Sequence, residues 1–118
     1  MGLKYLILPF YLLIVGCLKF TIDPISSEDA KYIYLTNIEH SYNISAEGIG
    51  YNTTKKNIIN QIRDLANEEG YRYYYVLSQG VVGRSLLNPK VSMLFKIKFF
   101  YTEEEYIVFQ KSYNPFGL

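Results

Sequence analysis

The sequence predicts an α+β fold, with one helix packed on a small, mainly antiparallel sheet of about four strands, preceded by a signal peptide and a short tether. Three observations predict it. Ile58, Ile59, Ile62, Leu65 and Ala66 recur at helical spacing between three capping side chains, Asn52, Thr53 and Thr54, and a stop at Gly70. Val91, Met93, Phe95, Ile97 and Phe99 alternate with Ser92, Leu94, Lys96, Lys98 and Phe100, the period of a strand with one buried face. At 118 residues and 49% hydrophobic, the chain is long enough for one core and too short for two.

Residues 21–29 turn to Thr, Asp, Pro and Ser, the chemistry of a tether, with Pro24 and Ser26-Ser27 as its punctuation. Residues 30–38 alternate, with Tyr32, Tyr34 and Thr36 on one face and Ile33 and Leu35 on the other, and read as a first strand. Residues 40–51 contain Gly48 and Gly50 and read as a loop holding a short strand over 42–45. The helix follows, with Asn52 as its cap. Lys55 and Lys56 fall in its first turn and Glu68 and Glu69 in its last. Both pairs oppose the helix dipole, at about a few tenths of a kcal/mol each, so packing of the apolar stripe has to carry the helix.

Residues 71–77 favour a second strand, broken across 79–89 by Gly80, Gly83 and Pro89. The alternating strand comes next. Residues 102–105, with three consecutive Glu, read as a charged turn, and residues 106–111 as a strand pairing back in a hairpin. Asn114-Pro115-Phe116-Gly117 is a terminal turn. The chain thus divides into a signal peptide (1–16), a modified cysteine and tether (17–29) and one α+β domain (30–118).

Composition excludes several functions. Twelve basic and 11 acidic side chains leave a formal charge of +1, without the basic footprint of nucleic-acid binding. One cysteine cannot build a disulfide framework or a Cys-based zinc cluster, and one histidine leaves only carboxylates for a metal site. No cofactor or metal is assigned.

Lys4 precedes an uncharged run over 5–18 that Lys19 ends. The run is short of the roughly 20 residues a spanning helix needs, and matches the apolar region of a secretory signal. At its end, Ile14-Val15-Gly16-Cys17 resembles the lipobox of bacterial lipoproteins. The resemblance implies diacylglycerol on the Cys17 thiol and cleavage just before it, so that Cys17 opens the mature chain. The solitary status of Cys17 in an exported chain supports this independently. Leu18, where inner-membrane retention uses Asp, implies the outer membrane in a Gram-negative envelope. A strand, a helix ending Ala66-Asn67-Glu68-Glu69-Gly70 and a strand directly after it loosely resemble small α+β outer-membrane sensor lipoproteins, the class serving the Rcs stress pathway. That resemblance covers residues 33–77. Those domains use disulfides, for which this chain has no cysteine, so only the general class carries over.

Catalytic patterns are sparse. His40 lies between Glu39 and Ser41, which point away from it on a strand, so the three make no triad and His40 reads as a solvated loop residue. Gly83-Arg84-Ser85 lacks the glycine frame of a nucleophile elbow, and Gly48-Ile49-Gly50 lacks a phosphate loop's third glycine and lysine. Glu103, Glu104 and Glu105 have no EF-hand spacing. The candidate binding face is the aromatic run, with Tyr71, Tyr73 and Tyr75 on one side and Arg72 and Tyr74 on the other. The reading is therefore a non-enzymatic envelope lipoprotein, held to the membrane by its lipid anchor, with an envelope protein or peptidoglycan as partner. With the signal removed the charges balance, and electrostatics is expected to add little to anchoring. Two alternatives stand beside it. One is a secreted or surface glycoprotein of a eukaryote or virus, with sequons at Asn43-Ile44-Ser45 and Asn52-Thr53-Thr54; the other is a small envelope hydrolase using His40 as base.

Overall fold

The structure, a computed structural model, describes residues 19–84 and 89–118; the signal peptide over 1–16, Cys17 and Leu18 lie outside them. The elements run β1 (Lys19–Pro24), α1 (Ser27–Tyr32), β2 (Ser41–Ile49), α2 (Tyr51–Glu69), β3 (Tyr73–Arg84), β4 (Lys90–Phe100) and α3 (Glu103–Ser112). Four strands form one antiparallel sheet in the order β1-β2-β4-β3. The α+β class is as the sequence implies, but among the described residues three helices, rather than one, pack on the sheet.

The alternation in β4 builds the main core. Val91, Met93, Phe95, Ile97 and Phe99 are all buried, packed with Ile44 and Ala46 of β2 and Ile58 and Ile62 of α2. The helix begins differently from the sequence reading. Gly50, at φ 84°, is its N-cap, and Asn52 is an exposed residue inside the helix. Thr54 turns inward, its hydroxyl donating to the carbonyls of Gly50 at 2.8 Å and Val91 at 3.2 Å. A Cβ on Gly48 would come within 2.8 Å of that hydroxyl, so the close approach of β2 to α2 requires glycine there. Gly70, at φ 80°, ends the helix in the left-handed region, as its position implies.

The other face of the sheet is where local pattern misleads. Residues 102–105 start α3 and residues 106–111 continue it, so the turn and hairpin strand are not formed. Thr102 accepts from the Glu105 backbone N–H at 3.3 Å while its hydroxyl donates to the Glu105 carboxylate at 2.9 Å, and three Glu fill the first turn, where the helix dipole favours them. Aromatic spacing completes the explanation. Tyr106 stacks on Tyr73 at 5.7 Å, and Phe109 packs at 5.3 Å against both Tyr75 and Phe100.

The tether reading of 21–29 is corrected as well. Those residues belong to β1, whose Ile22 packs on the core, and to α1, capped by Ser26 accepting from the Asp29 N–H at 3.1 Å. The first strand over 30–38 is absent, and with it the opening element of the 33–77 resemblance. Ala30 and Leu35 instead join Ile25 and Leu77 in a second, smaller core. The loop over 40–51 is mostly β2, and β3 runs through Gly80 and Gly83, absorbing its irregularity as register shifts at Val76/Ser78 and Val81/Gly83.

Register fixes two ends for the sheet. Lys19 pairs with Glu47, Glu47 with Ser92 and Ser92 with Gly83, which defines a Lys19 end; Tyr73 pairs with Phe100 at the other, the Phe100 end. Ile58 and Ile59 are adjacent members of the sequence stripe, yet Ile58 is 0% exposed and Ile59 45%. Ile58→Ala is expected to cost about 2–5 kcal/mol in urea unfolding, and Ile59→Ala within about 0.5 kcal/mol.

Candidate functional site

The aromatic run is divided among three environments. Tyr71 precedes β3, tied by its N–H to the Ala66 carbonyl at 2.9 Å, while the Arg72 N–H bonds the Phe100 carbonyl at 3.0 Å. These ties take Tyr71 out of the strand's alternation and lay its ring on Phe99, stacked at 4.7 Å and 16°. Tyr71 is buried with the α2 core, whereas Tyr73 and Tyr75 lie on the opposite face against α3. The expected shared face of Tyr71, Tyr73 and Tyr75 is therefore not formed. Arg72 is exposed, and Tyr74 is 45% exposed on the α2 side.

What the structure does assemble is a groove. Helix α2 packs on β2 and β4, leaving the adjoining face of β3 open. The resulting groove, about 340 Å³, is lined by Ile59, Ile62, Arg63, Ala66 and Asn67 of α2 and by Tyr71, Arg72, Tyr73 and Tyr74. Tyr71, Arg72 and Tyr74 thus line it, Tyr73 borders it although its ring stacks on Tyr106 across the sheet, and Tyr75 does not. Beside the groove, β3 pairs only with β4 among the described residues, and it carries no charge from Tyr73 to Gly83. The other sheet edge, β1, is short and carries Lys19, Asp23 and Pro24, the features that discourage strand addition. Ile59 is the groove residue the sequence misassigned, because stripe spacing alone places it in the core.

A second cavity, about 390 Å³, lies at the Phe100 end between residues 36–40, β4 and α3. Lys98 is buried in its wall and donates to the carbonyls of Asn37 at 2.9 Å and Glu39 at 2.7 Å, with the rings of Phe109 and Phe100 at 5.8 and 5.9 Å. Burial lowers its pKa, opposed by the charges of Glu39 and Glu105. With two carbonyls on its ammonium, Lys98 fastens the 36–40 segment to the sheet. Alternation assigned Lys98 to a polar face; the packing of α3 and the 36–40 segment buries it.

His40 is not the solvated loop residue that its neighbours suggest. It sits at φ 55°, half-buried, its Nδ1 bonded to the Tyr71 hydroxyl at 3.0 Å and its ring edge-on to Tyr71 and Tyr101. Tyr71 in turn bonds the Tyr42 hydroxyl at 3.1 Å. The Ser41 hydroxyl donates to the Glu39 carbonyl at 3.2 Å, so serine and histidine do not form a nucleophile and base pair. Among the described residues no three His, Cys, Asp or Glu side chains are grouped to hold a metal, and no helix is long and apolar enough to cross a membrane.

The two sequons differ in setting. Asn43 accepts from Lys96 at 2.8 Å and donates to Asp29 at 3.5 Å, so its amide is engaged on the sheet face, while Asn52 is exposed on α2. Comparison with known proteins finds no matching family model, no matching characterised protein and no matching solved structure.

Burial, and secondarily the hydrogen bond and charge of Tyr42, hold the Tyr71 phenol far above its ordinary pKa of 10.0. A phenol whose folded pKa is raised keeps its proton where the unfolded chain loses it, so its stabilisation is present below about pH 10 and declines above. The urea midpoint is expected to fall as pH rises beyond about 10, and to fall less steeply in Tyr71→Phe.

Proposed function

We propose that the chain is a lipid-anchored envelope protein whose α+β domain binds an extended protein segment in the groove between α2 and β3, without catalysing a reaction. The observation that carries this is the open, largely apolar groove beside a strand edge that is uncharged over 73–83 and has no partner strand among the described residues. A segment added to β3 would pair its backbone with that edge and place alternate side chains against Ile59, Ile62 and Tyr74. Arg63, Asn67 and Arg72 supply polar contacts around the apolar floor. The commitments of His40 to Tyr71 and of Lys98 to two carbonyls support the non-enzymatic part of the reading, since neither is poised against a nucleophile. Peptidoglycan is the second occupant, favoured by the exposed ring of Tyr74, on which a sugar face can stack.

The anchor rests on the Ile14-Val15-Gly16-Cys17 motif and on the place of Cys17 two residues before β1. Intact mass of the protein purified from membranes is expected to match a chain starting at Cys17 plus acyl groups; an unmodified or glycosylated chain would remove the anchor. For the groove, a photo-crosslinking residue at Tyr74 in membrane-bound protein is expected to give a protein adduct whose yield drops about tenfold with Ile59→Asp. Adducts to glycan strands would place peptidoglycan there instead. Equal yield from a probe at Glu103, on α3, would show that the groove is not the site.

A further inference from the structure

The register gathers one set of chain ends at the Lys19 end of the sheet. β1 starts there, β2 and β3 finish there, β4 starts there, and α2 leaves from it through Gly50, whose N–H bonds the Pro89 carbonyl at 2.9 Å. The uncharged run over 5–18 is joined to the domain at this same end, through Lys19. From Cys17 to the first residue of β1 the chain can reach at most about 7 Å. With the tether replaced by a strand, an anchor at Cys17 holds this end of the domain against the bilayer and leaves little room for it to tumble.

The surface presented there suits that position. Ile49 and Val82 are each 62% exposed, and Phe20 and Tyr51 are also exposed at this end. Lys55, Lys56 and Arg84 lie at the same end, together with Lys90, which pairs with Glu47, the one carboxylate there among the described residues, at 3.0 Å. Glu39, Glu68, Glu69, Glu103, Glu104 and Glu105 fall at the Phe100 end, where Arg72 and Lys98 offset two of them. A near-neutral total therefore hides an excess of cations at the Lys19 end and of carboxylates at the other. Because α2 starts at Tyr51, Lys55 and Lys56 stand at its fifth and sixth positions, past the first turn in which the sequence reading placed them and in which the dipole disfavours cations, and they add to the positive charge at this end.

We propose that the Lys19 end of the domain, with Phe20, Ile49, Tyr51 and Val82 framed by Lys55, Lys56 and Arg84, docks on an anionic bilayer surface and fixes the orientation of the domain on the membrane. This rests on the membrane-anchored reading. It reverses the expectation that electrostatics adds little to anchoring, since headgroups meet the basic end and not the net charge. Aromatic and aliphatic side chains beside cations are the mixture that partitions into a headgroup region. The α2–β3 groove, built from the second half of α2 and the first residues of β3, then opens away from the bilayer.

The chain has no tryptophan, so single probes are clean. The full-length protein purified from membranes, as Val82→Trp or Glu104→Trp, is reconstituted into phosphatidylcholine vesicles with or without phosphatidylglycerol and with lipid-borne quenchers. Docking predicts strong quenching at position 82, little at 104, dependence on phosphatidylglycerol, and loss on raising salt. Adding Lys55→Glu, Lys56→Glu and Arg84→Glu is expected to lower the docked fraction at least about fivefold, with acyl mass and urea midpoint unchanged. Acylated protein whose position 82 is no better quenched than 104 overturns the docked orientation while leaving the anchor. Protection of position 82 that grows with protein density and needs no phosphatidylglycerol overturns it in favour of a second copy seating its acidic end there. Protein lacking acyl groups that fails to associate with vesicles removes anchor and docking together, whereas unacylated protein that still shows the position-82 pattern supports docking and removes only the lipidation.

Discussion

Burial of β4 on both faces is the constraint on which the other elements depend. Its odd-numbered side chains, from Val91 to Phe99, are covered by α2, and its even-numbered residues Lys98 and Phe100 by α3 and the 36–40 segment. A strand of this kind cannot sit at an edge, because each face needs its own layer. β2 and β3 flank it, and the helices before and after β3 and β4 have opposite faces to fill.

The second layer is held by polar fastening as much as by apolar contact. Lys98 reaches two backbone carbonyls, and the Tyr113 hydroxyl donates to the Ile33 carbonyl at 2.6 Å. On the α2 side the His40–Tyr71–Tyr42 chain closes the same end of the sheet. These contacts concentrate at the Phe100 end, whereas Ile49 and Val82 at the Lys19 end stand in solvent. The groove between α2 and β3 lies toward the fastened end, with Ile49 and Val82 exposed at the opposite one.

Much of the fold is legible from local pattern where one periodicity dominates. The β4 alternation and the Gly70 stop behave as their chemistry dictates, because a strand with one greasy face and a left-handed cap have few alternatives. Residues 30–38 and 106–111 misled for a shared reason: aromatic and β-branched residues in short runs satisfy both strand and helix patterns. Their helices are decided by caps, Ser26 to Asp29 and Thr102 to Glu105, whose polar pattern also suits a turn. Of the candidate face, the aromatic character of 71–75 was readable but its division was not, since that depends on backbone ties from Tyr71 to Ala66 and from Arg72 to Phe100.

By itself the sequence determined the α+β class, the identity of the main core residues on β4 and α2, and the covalent position of Cys17 just ahead of the domain. Tertiary structure alone decided which aromatic residues face solvent, which lysine is buried, and that Lys55, Lys56, Arg84 and Lys90 collect at one end of a nearly neutral chain. The physical reason is one of range. Periodicity and capping act over a few residues along the chain, whereas a groove, a buried ammonium and a charged end arise where segments far apart in sequence are brought together by the pairing of β2 and β3 to β4.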